Sequence, residues 1–221
     1  PHQRDDGLWL LPIYRSLETG GNFGHDYSEL LLLDSEGNAT DQLISVPESI
    51  GRVHGSIVTS SNGEKLLQFF RSRKADFIYR SVGTLDGLKW SAPEAIDLPN
   101  NNSSIQALRL KSGRLAIIFN RFSLHKPYEQ ASWGEAIWPR TRWPLSVALS
   151  SDDGETWPWI KDLDHGDGFA GESNWFMNGQ LAYPTILEGF PGELHIAYSW
   201  GGRKAIRYLC LMEEQILGII P

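Results

Sequence analysis

Cysteine is almost absent. Cys210 stands alone, which excludes a disulfide scaffold and a thiolate metal cluster. A chain without disulfides is at home in the cytosol, the periplasm or outside the cell. No apolar run approaches the roughly 18 residues that span a bilayer. The first residue is Pro1 and no signal-like segment follows it, so any leader is expected upstream. Basic residues are in deficit: 20 Lys and Arg face 27 Asp and Glu, for a net charge of −7. That argues against a nucleic-acid surface, which needs clustered cations, yet it leaves room for a local basic pocket. No Gly-rich phosphate loop, His-Glu-x-x-His or Gly-x-Ser-x-Gly occurs. The six His are scattered without metal-ligand spacing. Neither a cofactor nor a metal is expected. Amphipathic helices of three turns are also missing.

What the chain has is strand signals: short β-branched or aromatic runs bounded by Gly, Asn, Asp and Pro. They fall into four similar groups. The second runs from Val53 to Val58, turns at Ser61-Asn62-Gly63, returns from Leu66 to Phe70, and continues from Asp76 to Ser81 and again after Trp90. The third repeats this with Ser104–Leu110, Leu115–Phe119, Leu145–Leu149 and a strand near Trp159. The fourth has Tyr183–Leu187, Leu194–Trp200 and Ala205–Leu211. The first starts at Leu8–Tyr14 and Glu29–Leu33, so its opening strand is expected to be absent. Four antiparallel strands per unit, at about 40–50 residues per repeat, predict an all-β propeller. Residues 1–221 read as a single partial propeller domain.

Ser150-Ser151-Asp152-Asp153-Gly154-Glu155-Thr156-Trp157 fits the Asp-box pattern Ser-x-Asp-x-Gly-x-x-Trp. Its chemistry is that of a hairpin turn: Gly supplies a positive φ, Asp bonds backbone amides, and Trp pins the hairpin to its sheet. A degenerate copy, Gly83-Thr84-Leu85-Asp86-Gly87-Leu88-Lys89-Trp90, reads as lacking the Ser and carrying its Asp one place late.

Strand direction sorts the remaining residues. If first strands start on one face, the top, then second strands end there and third strands start there. The boxes then lie at the bottom, as fold markers. The top edge collects His54, Ser103, Ser104 and Tyr183 from first strands. Second-strand ends add Arg15, Arg71, Arg73, Asn120, Arg121 and Trp200, and third-strand starts add Glu29, Arg140 and Arg142. Arginine grips carboxylates and phosphates in a forked, bidentate way. So many at one edge point to an anion pocket, the competing reading being ion pairs with neighbouring blades. Two long top-side connections, residues 122–143 and 164–180, carry Trp133, Trp138, His125, Lys126, Trp175 and Asn178 and read as specificity loops or packing segments.

With its box and repeats the chain resembles the sialidase-like (BNR or Asp-box) propellers, in particular the predicted-neuraminidase subgroup. Three further stretches carry the resemblance: Leu98–Ser104, Arg142–Ser150, and Ala182–Leu187 leading into His195–Trp200. It implies a six-bladed ring, of which about four blades are present and the N-terminal ones lie upstream. It also implies a glycoside hydrolase of exo-sialidase type acting on a terminal acidic sugar. Sialidases hold the substrate carboxylate with three Arg and attack with a Tyr that a Glu assists. By resemblance, Arg142 matches the third Arg, Arg121 the second, and Tyr183 the nucleophile. Ser103 or Ser104 stands where the family keeps its Glu and supplies no base. An improvised acid is expected from Glu29, or from an Asp or Glu of the insertion between Phe122 and Arg140. The first Arg and the acid–base Asp fall upstream. Arg71, His54, Asn102, Ser104 and Trp200 complete the candidate substrate contacts. Two other functions fit the same edge: a uronate lyase using His54 or Tyr183 as base, and a glycan-binding propeller without catalysis. The expected partner is an acidic carbohydrate.

Overall fold

The computed structural model describes residues 1–16, 25–124, 136–139, 141–166 and 180–220. The expected contacts in segments 125–135 and 167–179, and Arg140, lie outside these.

The chain folds as successive antiparallel sheets, the blades of a β-propeller. Blade one holds β1 (His2–Gln3), β2 (Trp9–Arg15), β3 (Tyr27–Leu33) and β4 (Ala39–Ser45). Blade two holds β5 (Arg52–Thr59), β6 (Lys65–Ser72), β7 (Phe77–Thr84) and β8 (Glu94–Pro99). Blade three holds β9 (Gln106–Arg109), β10 (Leu115–Asn120), β11 (Leu145–Ser150) and β12 (Trp159–Asp164). Blade four has three described strands, β13 (Ala182–Glu188), β14 (Glu193–Trp200) and β15 (Ala205–Met212), followed by the short helix α1 (Glu213–Leu217). One expectation is corrected. The opening strand of the first group is not absent but short: His2 and Gln3 pair with Leu10 and Trp9.

Alternation along the second strands builds the core. Leu66 and Phe70 face blade one and join Leu10, Leu30 and Trp90. Leu67 and Phe69, offset by one, join Ile105, Leu115, Ile117 and Phe119 of blade three. Blade three presents Ala116 and Ile118 to Leu194, Ile196 and Tyr198 of blade four. Period-two patterning thus buries the facing sides of neighbouring sheets, which stack through them.

Polar side chains join the inner strands across the blades. Ser56 Oγ accepts from the Ala107 amide at 3.0 Å and donates to its carbonyl at 3.4 Å. One blade on, the Gln106 side chain accepts from the Ile186 amide at 3.0 Å and donates to its carbonyl at 3.1 Å. Ser56, Gln106 and Thr185 occupy the same register, opposite Phe69, Ile118 and Ala197 of their second strands.

At the bottom, Asp152 accepts from the Thr156 amide at 2.9 Å and from the Ser150 hydroxyl at 2.7 Å, while Ser150 Oγ accepts from the Gly154 amide at 2.8 Å. Asp153 accepts from the amide and hydroxyl of Ser61 and from Arg109, tying this turn to blade two. The second turn has the same chemistry. Thr84 Oγ1 bonds Asp86 at 2.5 Å and Asp86 accepts from the Leu88 amide at 3.0 Å. Thr84 therefore stands in for Ser150 and Asp86 for Asp152. The Asp is not displaced; the turn is one residue shorter between Asp and Trp.

Trp157 is buried and meets Phe69 of blade two edge-on, with ring centroids 6.2 Å apart. Trp157→Ala is expected to cost about 3–5 kcal/mol, the usual range for emptying a buried aromatic site. Urea denaturation of the full chain measures it, and a loss under about 1 kcal/mol would show that this ring does not join the two blades.

Candidate functional site at the top of the central cavity

A cavity of about 530 Å³ runs along the inner strands, lined by Pro12, His54–Val58, Ser104–Leu108 and Pro184 among others. Its rim is set by register. His54, Ser104 and Tyr183 each stand two residues ahead of the laddered positions Ser56, Gln106 and Thr185. The pairing is interrupted there in blades two and four, between Val53 and Ser56 and between Ala182 and Thr185. His54 and Tyr183 take left-handed backbone with φ of 56° and 52°, and Asn102 does so with φ of 57°. Bulky residues rarely adopt this region, and such strain clusters at functional sites.

Arg142 is fixed through its backbone. Its carbonyl accepts from Asn120 Nδ2 at 2.9 Å and from the Leu181 amide at 3.2 Å, and Asn120 Nδ2 also donates to the Leu181 carbonyl at 2.8 Å. Buried Asn120 thereby clamps the approach to β11 against the start of blade four, two residues from Tyr183. The Arg142 guanidinium and the Tyr183 phenol act on one another electrostatically, the phenol favouring the charged guanidinium. From the other side, Arg203 lies over the Tyr183 ring, 5.1 Å from its centroid. The turn Gly201-Gly202-Arg203 delivers it, all three residues being left-handed. Arg203 was not among the expected residues; a Gly-Gly-Arg turn at a top-side hairpin is the signal that points to it.

Arg71 completes the group. Its Nε donates to Asn102 Oδ1 at 2.9 Å, and Asn102 Nδ2 donates to the Ile137 carbonyl at 2.8 Å. Asn102 is wholly buried, so it positions Arg71 and presents no free face to a ligand. Beside Arg71, His54 stacks on Tyr14 with centroids 5.0 Å apart. Tyr14, too, escaped the sequence reading. Ser104 lies at the rim, and its hydroxyl has no hydrogen-bond partner among the described residues.

Other expected residues are held elsewhere. Arg121 forms an ion pair with Asp162 on the outer strand of its own blade. Glu29 binds Arg15 at 2.6 Å in blade one, and no described contact joins it to Tyr183. Arg73 is buried against Asp26 at 2.7 Å. Trp200 packs against the core between blades three and four, with Arg207 5.6 Å from its ring centroid. Part of the arginine-rich edge is therefore structural ion pairing.

Arg71, Arg142 and Arg203 differ from those arginines: among the described residues no carboxylate pairs with them. Burial, then the charges of Arg73 and Arg142, lower the Arg71 guanidinium to about 10, with Tyr183 and Tyr14 opposing. Burial, then Arg203, lowers Arg142, with Tyr183 opposing. Half-buried cations that repel one another are stabilised by an arriving anion. His54 feels the same field. Burial first, then Arg71 and Arg73, lower its imidazole to about 4 against the pull of Asp26, so it is neutral at pH 7. The unfolded chain then binds the extra proton between pH 6.5 and 4. The stability contributed by neutral His54 is complete above pH 6.5 and is lost as pH falls towards 4. After screening by solvent this amounts to about 1–2 kcal/mol. Asn tolerates the left-handed backbone, so His54→Asn should remove that part of the acid sensitivity. Urea midpoints at pH 7 and pH 4.5 test it; parallel losses in both proteins would overturn the assignment.

The BNR repeat-like domain family matches residues 1–196, nearly nine-tenths of the chain. This chain belongs to that family. No curated protein matches the BNR repeat-like chain. Among solved structures, the Hadza microbial sialidase Hz136 superposes with a TM-score of 0.66 at 15% identity, over 97% of this chain and 37% of that one. The intramolecular trans-sialidase from Ruminococcus gnavus gives 0.60 at 14% identity, over 97% and 43%. CoXyl43, a GH43 β-xylosidase/α-arabinofuranosidase from a compost microbial metagenome, gives 0.60 at 16%, over 95% and 71%. At these identities the likeness establishes the fold. The chain spans about two-fifths of the length of the two sialidases.

Proposed function

We propose that this BNR repeat-like chain carries the substrate site of a glycoside hydrolase of exo-sialidase type, acting on a terminal acidic sugar. The observation that carries the reading is Tyr183, strained at the rim and flanked by Arg142 and Arg203, with Arg71 nearby and, among the described residues, no carboxylate paired with them. The arginines hold the sugar carboxylate. The Tyr183 phenol attacks the anomeric carbon as the glycosidic C–O bond breaks; its oxygen becomes the glycosyl link, and its proton ends, relayed by water, on the oxygen of the departing alcohol. Arg142, beside that oxygen, stabilises the negative charge that builds as the phenolic proton departs. A phenol suits the task because a carboxylate nucleophile would be repelled by an anionic substrate. Water then releases the sugar and restores the phenol.

One observation favours a second reading, a uronate lyase. His54 is neutral at pH 7 and sits beside Arg71, so a base and a carboxylate grip are adjacent. Incubating the full chain with terminal sialosides, uronosides and uronate polymers separates the readings. Free acidic monosaccharide without unsaturated product supports hydrolysis. New absorbance at the unsaturated-uronate band replaces it with elimination, and binding without turnover replaces both with a glycan-binding propeller.

A further inference from the structure

Away from the rim, Glu193, His195 and Cys210 lie on the face of blade four turned away from blade three. Glu193 and His195 are two apart on β14 and so share a face. Cys210 on β15 is the direct cross-strand partner of His195. One ligand atom from each side chain lies within 4.8 Å of the other two. His195 Nε2 is 3.3 Å from Glu193 Oε1, and Cys210 Sγ is 3.6 Å from the same oxygen. These separations are those of tetrahedron edges around one ion, given Zn–N and Zn–O bonds of about 2.0 Å and Zn–S of about 2.3 Å. The remaining imidazole nitrogen is already engaged: Nδ1 lies 2.6 Å from Tyr208 Oη. With Nδ1–H donating to the phenol oxygen, Nε2 keeps its lone pair for a metal, the usual outer-shell arrangement of a ligating histidine. Glu193 and His195 are half-buried and Cys210 is exposed.

We propose that Glu193, His195 and Cys210 form a site for a borderline-soft divalent cation, zinc foremost, with a fourth position open to water. One sulfur, one imidazole and one carboxylate select zinc over calcium or magnesium, which prefer all-oxygen shells. Binding releases the thiol proton. The sequence hides the site because Glu-x-His carries no recognisable spacing and the sulfur arrives only through strand pairing. The inference is independent of the sugar site.

Cobalt substitutes for zinc and reports on sulfur. Titrating the full chain with Co²⁺ should give one equivalent with a thiolate charge-transfer band, displaced by Zn²⁺. Cys210→Ser should abolish the band, and Tyr208→Phe should weaken Zn²⁺ binding by about 10- to 100-fold. Circular dichroism checks that both remain folded. Zinc should also slow alkylation of Cys210, mapped by peptide, in the unaltered protein. No band, a band that survives Cys210→Ser, or alkylation indifferent to zinc would each overturn the proposal.

Discussion

Tyr183→Phe should lower kcat on a terminal sialoside or uronoside by at least about 10³-fold while leaving binding of the product sugar within a few-fold. Removing a covalent nucleophile leaves only binding and electrostatic assistance to act on the substrate. Phe keeps the ring under Arg203 and the left-handed backbone of residue 183, so packing at the rim is preserved. Only the oxygen facing Arg142 is lost. Mass spectrometry adds a second check, because a slow fluorinated substrate should trap the sugar on a peptide containing Tyr183. Turnover by the Phe variant within tenfold of the parent would remove Tyr183 from the reaction.

Arg142→Ala should weaken the acidic sugar by about 30- to 700-fold. This corresponds to about 2–4 kcal/mol for a charge-assisted contact in a partly buried site. The neutral analogue lacking the carboxylate should bind the two proteins alike, which distinguishes a lost ion pair from a distorted rim. Arg121→Ala is the internal control. With its guanidinium held by Asp162, its loss should change sugar affinity less than threefold. Equal effects at the two positions would mean that the anion sits elsewhere.

The blades were legible in the sequence because their cause is local. Alternating apolar positions, Gly at the hairpin turns and the Ser150–Trp157 pattern each act over a few residues, and their repetition supplies the register. The opening strand of blade one was missed because two paired residues, His2 and Gln3, carry no periodic signal. At the rim, strand polarity sends Arg71, Arg73 and Arg142 to one edge, where their charges act on one another, but an edge is wide. Whether a guanidinium turns inward or outward depends on tertiary partners invisible in the chain. Asp162 draws Arg121 to an outer strand, Asp26 draws Arg73 into the interior, and Asn102 holds Arg71. Glu29 shows the same difficulty. Its chemistry and place in the chain suit an acid at the rim, and the structure engages it with Arg15, one strand away. Tyr14 falls in no recognisable motif, and Arg203 is signalled only by the Gly-Gly turn before it.

The polar ladder between inner strands has a further bearing on how such a protein changes over time. Because Ser56 and Gln106 grip the backbone of the following blade two residues below the rim, the spacing between His54, Ser104 and Tyr183 is indexed from beneath. Connections above the rim can lengthen, shorten or be exchanged without disturbing that spacing. Changes above the rim can therefore leave a fixed crown intact, whereas a single deletion between rim and ladder would turn that blade's rim side chain to the other face of its strand.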